Sequence, residues 1–241
     1  MIACPLHTRR CVTASLPWTS LRDRQERSAR MRIGILGTGT MAAALGEGWA
    51  RAGHELTVAG RSPSKARELA ERLGGGARAV PPRQAVEDRD AVLLAVSWQG
   101  AEEMLRGAGA ADGSLAGTPL IDPTNAVEHG VGVLLPGPGE SMAQRIAGLS
   151  PGAHVVKALN VFPSAQWTHA GGEPPVTVAM CGDDPEALRV VGDLVRDVGG
   201  VPAVLGPLER ARQLEEVAGF VIGLAFAGTD PGSAIPRLPS P

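Results

Sequence analysis

From residue 31 onward, short apolar runs alternate with longer stretches of helical spacing. The runs at 32–36, 56–59, 91–96, 119–122, 153–159 and 176–181 read as strands. Between and after them, apolar residues recur at helical intervals over 41–52, 64–73, 101–107, 141–149, 185–198 and 208–227, which predicts helices. Pro185 suits a first helical turn. Strand–helix alternation with short connections predicts an α/β fold, a doubly wound parallel sheet covered on both faces. No internal repeat of solenoid period is present.

The two ends break this pattern. Residues 1–30 hold six arginines against two acids, and the apolar stretch 12–18 is interrupted by Thr13, Ser15 and Pro17. A secretory signal needs a continuous apolar segment, so 1–30 is expected to be a disordered, dispensable extension, with Met31 opening the first strand. The segment 229–241 carries Pro231, Pro236, Pro239 and Pro241 and is expected to be a flexible tail. Between the ends, 31–165 reads as the main domain and 166–228 as a small C-terminal α/β domain.

Composition narrows the function classes. At 241 residues and 44% hydrophobic, the chain can bury a proper core. A net charge of -2 argues against a general nucleic-acid binder, and an aromatic share of 3% without tyrosine argues against base stacking. Three cysteines, Cys4, Cys11 and Cys181, show no paired spacing, so neither a disulfide framework nor a metal site is expected. No run approaches the roughly 20 apolar residues of a membrane helix. A cytoplasmic protein without membrane partners is expected.

The sharpest motif is Gly37-Thr38-Gly39-Thr40-Met41-Ala42, which fits G-x-G-x-x-A directly after a strand and at the opening of a helix. Gly37 permits the tight turn, Gly39 lets backbone N–H groups approach a pyrophosphate, and Ala42 allows close helix–strand packing. The helix beginning near Thr40 and Met41 then aims its N-terminal partial charge at the anion. At the end of the second strand, where an acid would hold the ribose 2′-OH of NAD, the chain reads Gly60-Arg61-Ser62-Pro63-Ser64-Lys65. Arg61, Ser62 and Lys65 suit the 2′-phosphate of NADP; a solvated turn with an N-cap at Ser62 or Ser64 explains the serines equally well.

The whole pattern resembles the NADP-dependent coenzyme F420 oxidoreductase family. The matching stretches are Met31-Arg32-Ile33-Gly34-Ile35-Leu36-Gly37-Thr38-Gly39, Gly53-His54-Glu55-Leu56-Thr57-Val58-Ala59-Gly60-Arg61, Leu94-Ala95-Val96-Ser97-Trp98, Val155-Val156-Lys157-Ala158-Leu159-Asn160, Val178-Ala179-Met180-Cys181-Gly182-Asp183-Asp184 and Gly206-Pro207-Leu208-Glu209-Arg210-Ala211-Arg212. The reductase domain of the transmembrane metalloreductases shares the Val-Val-Lys-Ala-x-Asn type of segment. The resemblance implies a Rossmann-like domain with a small C-terminal domain, usually a homodimer, moving hydride between NADP(H) and a deazaflavin, coenzyme F420. It also implies that Thr38, Arg61 and Lys65 contact NADP and that the Ser97-Trp98 pair lines the nucleotide cleft; Ala95 and Val96, at the end of the same strand, are cofactor-binding candidates with Ser97. Two departures stand out: the family's archaeal enzymes often have Ser-Arg where this chain has Gly60-Arg61, and a histidine where it has Asn160.

Hydride transfer between stacked rings needs orientation and exclusion of water more than a protein acid or base. The chain offers no G-x-S-x-G elbow or HExxH motif, and its five histidines are scattered, with His54 and His154, each just before a strand, expected to be surface or turn residues. Residues at strand carboxyl ends are the candidates: Trp98, Asn125 and Asn160, with Phe162 beside them. The asparagines suit a carboxamide or ring carbonyl, or simple loop capping; Trp98 and Phe162 suit a ring wall, or core packing. Lys157, inside a strand, reads as structural or as a proton donor in an NADPH-dependent ketone or imine reductase, the competing function. A non-catalytic NADP-sensing module is the third reading. The helix 208–227 starts charged and ends apolar, which predicts a homodimer packed through its second half.

Overall fold

The computed structural model describes residues 30–128, 130–137, 139–168 and 175–234. In chain order the elements are β1 (Arg32–Leu36), α1 (Thr40–Ala52), β2 (Glu55–Ala59), α2 (Pro63–Leu73), β3 (Arg78–Ala79), α3 (Pro82–Val86), β4 (Ala91–Leu94) and α4 (Ala101–Ala108). They continue with β5 (Pro119–Asp122), α5 (Met142–Leu149), β6 (His154–Lys157), β7 (Thr177–Gly182), α6 (Pro185–Asp197), β8 (Val201–Gly206) and α7 (Ala211–Phe226). All eight strands form one sheet in the order β3-β2-β1-β4-β5-β6-β7-β8. The order reverses between β1 and β4, the switch point at which α/β sheets bind ligands beyond their strand carboxyl ends. The expectations for the extension 1–30, for most of the tail and for His7, His129 and His169 fall on or reach into residues outside those described.

Helices cover both faces. One core packs α1, α2 and α6 around Ile33, Ile35, Val58 and Trp49, whose indole Nε1 donates to Leu194 O at 2.9 Å. The other packs α3, α4 and α5 around Leu36, Val92, Leu94 and Leu120. Central strands buried on both faces explain why 91–94 reads AVLL with every residue buried.

The sheet is parallel, as expected, at every neighbouring pair but one. β6 and β7 pair antiparallel, while every other neighbouring pair is parallel. Among the described residues of the connection between them there is no α-helix, only a 3₁₀ turn at Ser164–Trp167. A chain that does not cross back over the sheet must run the other way. β6 and β7 share only Val156↔Gly182 and Lys157↔Cys181, so the first half of β7 projects past the carboxyl end of β6. β3, α3 and β8 are additions to the sequence reading. β8 contains Pro202, which reads as a strand breaker but is tolerated because β8 is an edge strand.

His54 is a correction. It does lie between the turn at Gly53 and β2, but it is only 4% exposed, so it is not a surface residue. Gly53, in a left-handed conformation, ends α1 and turns the chain back into β2. The Met31 N–H donates to His54 Nδ1 at 3.0 Å, and Nε2 lies 2.9 Å from Asp197 Oδ2. Because Nδ1 accepts, Nε2 carries the proton and donates to the carboxylate, tying the head of the sheet to the end of α6.

Candidate functional site

The glycine loop is built as its sequence requires. Gly37 has φ +135°, and a Cβ there would lie 2.0 Å from the Ala95 carbonyl oxygen, so only glycine lets the turn pass this close to the end of β4. Its N–H donates to Ala59 O at 2.8 Å, pinning the loop to the end of β2. Gly39 caps α1 without a side-chain acceptor, and no acid sits in the first turn. A Cβ at Gly39 would meet nothing within 4 Å, so the space over the helix terminus is open. The first N–H groups of α1 are therefore left for an anion. Thr38 is half-buried, and Thr40 is exposed beside a half-buried Met41. Thr38 Cγ2 would lie 2.7 Å from a Cβ at position 60, which accounts for Gly60 in place of a serine.

A cavity of about 710 Å³ opens beside the end of β2, lined by Arg61, Arg67, Glu103, Met104, Arg106 and Pro82 among others. Arg61 Nη1 lies 3.8 Å from Glu103 Oε2, with both side chains largely exposed. Ser62 is the N-cap of α2: its hydroxyl accepts from the Lys65 N–H at 3.4 Å and shares a 2.9 Å hydrogen bond with Ser64 Oγ. The capping explanation of the serines therefore holds. Lys65 is exposed on the first turn of α2 and does not line the cavity. Arg67 and Arg106, which sequence reasoning passed over, do. Each reads as part of an ordinary solvated helix face, and only the tertiary arrangement turns both toward Arg61.

At the other end, Ala95 and Val96 leave β4 half-buried, Ser97 is exposed, and a 3₁₀ turn spans Trp98–Gly100. Trp98 packs against the core on the α4–α5 face, whereas Phe162 meets Trp167 edge-on at 5.9 Å on the opposite core. The two rings sequence reasoning grouped do not share a wall. Asn125 and Asn160 are brought together: Asn125 Nδ2 donates to Asn160 O at 2.7 Å, and Asn160 Nδ2 donates to Asn125 Oδ1 at 3.0 Å and to Leu214 O at 3.1 Å. The preceding Leu159 has φ +63°, an uncommon value for a non-glycine residue, held in place by this ring of bonds.

Beneath the asparagines lies a fully buried ion triad. Lys157 Nζ is 3.0 Å from Asp122 Oδ2 and 2.9 Å from Glu215 Oε1, and it also donates to Thr124 O. Asp122 Oδ1 accepts from the Thr124 N–H at 2.8 Å and hydroxyl at 2.7 Å, and Glu215 accepts the Met142 and Ala143 N–H groups at the head of α5 at 2.9 and 3.1 Å. All three ammonium donors of Lys157 are used, so the lysine is structural and is not placed to release a proton to a ligand. Asp122 and Glu215 carried no sequence signal: one ends an apolar strand, the other sits in a charged helix start. Among the described residues no group of three or more His, Cys, Asp or Glu could hold a metal.

A second cavity, of about 320 Å³, lies past the carboxyl end of β6, between residues 159–162, the projecting part of β7, Leu205 and α7.

An eight-stranded sheet with a glycine loop at its switch point places the molecule in the Rossmann-like class of α/β proteins. Within that class, residues 32–126 match the family model described as NADP oxidoreductase, coenzyme F420-dependent, and the resemblance read from the sequence stands. The chain is 29% identical over 193 residues to metalloreductase STEAP3 of Rattus norvegicus, covering 77% of this chain and 36% of that protein. It is 29% identical over 99 residues to the F420-dependent NADP reductase of Methanocaldococcus jannaschii, covering 41% of this chain and 44% of that one. The chain thus spans less than half the length of either relative. A crystal structure from Arthrobacter sp. FB24, provisionally described as an F420-dependent NADP reductase, superposes with TM-score 0.71 at 25% identity, over 83% of this chain and 96% of that one. A reductive aminase from Aspergillus terreus, in complex with NADPH, shares the fold at TM-score 0.61 and 21% identity, over 83% of this chain and 63% of that one.

Proposed function

We propose that this protein is a cytoplasmic, homodimeric NADP-dependent oxidoreductase passing hydride between NADP(H) and a ring acceptor of the deazaflavin (coenzyme F420) or flavin type. The observation that carries the reading is the open, uncapped head of α1 over Gly37–Gly39, flanked by the arginine-lined cavity at the end of β2. The free N–H groups and the helix dipole suit the pyrophosphate, and Arg61, Arg67 and Arg106 suit a 2′-phosphate. A dinucleotide laid from that cavity across the loop leads over the ends of β4 and β5, past Ser97 and Asn125, toward Asn160. NADPH supplies the hydride from its nicotinamide. The protein's part is to orient the two rings: the Asn125–Asn160 pair, fixed from below by the Lys157 triad, holds the strand-end loops in one arrangement.

The competing ketone or imine reductase reading loses its lysine acid, because Lys157 is committed to Asp122 and Glu215. Mixing protein, NADPH and oxidised coenzyme F420 and following the deazaflavin absorbance band tests the proposal. Bleaching of the band with one NADPH consumed per deazaflavin is expected. NADPH binding without turnover of either ring type would favour the sensing module.

A further inference from the structure

The end of β2 lacks the acid that holds the ribose 2′-OH in NAD sites, yet the fold delivers an acid to that place from another element. α4 buries Ala101, Met104, Leu105 and Ala108 in the core, which leaves Glu102, Glu103 and Arg106 outward. Glu103 Oε2 lies 3.8 Å from Arg61 Nη1, the arginine that follows β2. Among the described residues Glu103 is the one acid lining the cavity, which it shares with Arg61, Arg67 and Arg106. Its neighbour Glu102 turns to Arg106 at 2.8 Å, along the same helix, and stands outside the lining, as Lys65 does on α2.

NADP(H) and NAD(H) differ only in the group on that ribose. A 2′-hydroxyl donates a hydrogen bond, which a carboxylate accepts; a 2′-phosphate is an anion, which a nearby carboxylate repels. A guanidinium has the opposite preference, because it grips phosphate bidentately. One acid among three arginines therefore pulls against them over the group that distinguishes the cofactors. An acid in a first helical turn also complements the dipole of α4, and Glu102 and Glu103 both serve that end. The dipole does not require an acid beside Arg61 on the wall of the cavity. The two roles also move different quantities: the dipole role moves stability, and the cavity role moves the ratio of two affinities.

We infer that Glu103 is a specificity-determining residue of the dinucleotide site. It offers an acceptor to the 2′-OH of NAD(H) and opposes the 2′-phosphate of NADP(H), so the preference for NADP is held below what the arginines alone would give. The inference rests on the cofactor reading above. With its side chain 62% exposed, Glu103 is screened by solvent, and its effect is several-fold rather than thousandfold.

Calorimetric titration of the full chain with NADPH and NADH tests it, alongside 2′,5′-ADP and ADP, which report the adenosine end alone. In Glu103→Gln, NADPH and 2′,5′-ADP should bind at least about threefold more tightly. In Glu103→Ala, which also removes the acceptor, NADH and ADP should in addition weaken at least about twofold. Glu103→Asp restores the charge and should return the ratio toward the wild-type value. Glu186→Gln, the same charge change on the distant α6, should move neither affinity. A smaller gain for NADPH in Glu103→Gln, or a loss, would overturn the inference; a loss would make Glu103 a positioner of Arg61. So would an undiminished affinity for NADH in Glu103→Ala, an equal gain in Glu186→Gln, or a lowered Tm with an unchanged ratio. If the wild-type chain binds neither NADPH nor NADH, the cofactor reading falls and takes this inference with it. If NADPH binds and Glu103→Gln leaves it unmoved, the role of Glu103 falls alone.

Discussion

Arg61 leaves the end of β2 with its guanidinium held loosely by Glu103, an exposed pair worth under about 1 kcal/mol and easily exchanged for a phosphate. Arg61→Ala should therefore weaken NADP binding by about 1.5–3 kcal/mol, the worth of a charge-assisted bond, and spare NAD. Calorimetric titration of both cofactors checks this; equal losses would make the arginine structural. Its candidacy was legible because an acid is missing from the position where NAD sites carry one. Arg67 and Arg106 were not legible, since nothing local distinguishes them from other exposed helix arginines. The Lys157 triad is the second residue-scale feature. Lys157→Met leaves Asp122 and Glu215 buried without their cation, and breaking such a pair costs about 3–5 kcal/mol. Denaturant unfolding should show a loss of that size; a loss below about 1 kcal/mol would mean that the carboxylates find other partners or protonate cheaply.

Among the elements, α7 carries the most information that the sequence concealed. Its glycines look like weak points in a helix, but Gly219 is where the loop after β5 crosses: a Cβ on Gly219 would lie 2.2 Å from Gly132 O, and one on Gly223 would lie 3.0 Å from Val131 O. Glu128 N–H donates to Val133 O at 2.7 Å and Leu135 N–H to Ala126 O at 2.8 Å, so the crossing segment is held as a small antiparallel hairpin. Gly219→Ala must push backbone from backbone, and such overpacking costs about 1–3 kcal/mol. Hydrogen exchange should quicken at Glu128 and Leu135; unchanged protection there would contradict the contact. The elements up to β6 were largely legible, because doubly buried strands and amphipathic helices differ so plainly in period. The reversal of β7 was not, because direction depends on whether the connection crosses the sheet, and apolar spacing does not encode that. β8 was hidden by Pro202, whose tolerance depends on an edge position visible only once the strand order is known.

For the whole molecule, the hairpin and the end of α7 leave an apolar surface. Val131, Val133, Phe220 and Phe226 are 53, 57, 48 and 58% exposed. The expected occupant is the same surface of a second copy, packed through the second half of α7. Light scattering should give twice the 24.8 kDa chain mass, and Phe226→Asp should shift the population toward single chains. A single-chain species with full reductase activity would contradict a functional dimer. Among the described residues no helix is long and apolar enough to cross a membrane. At the dinucleotide end, the uncapped head of α1 and the arginines beside β2 are expected together to select NADP. Titration of NADPH and NADH against the same wild-type sample in a calorimeter tests it most directly. NADPH is expected to bind at least tenfold more tightly, about 1.4 kcal/mol or more; equal affinities, or no binding of either, would contradict it.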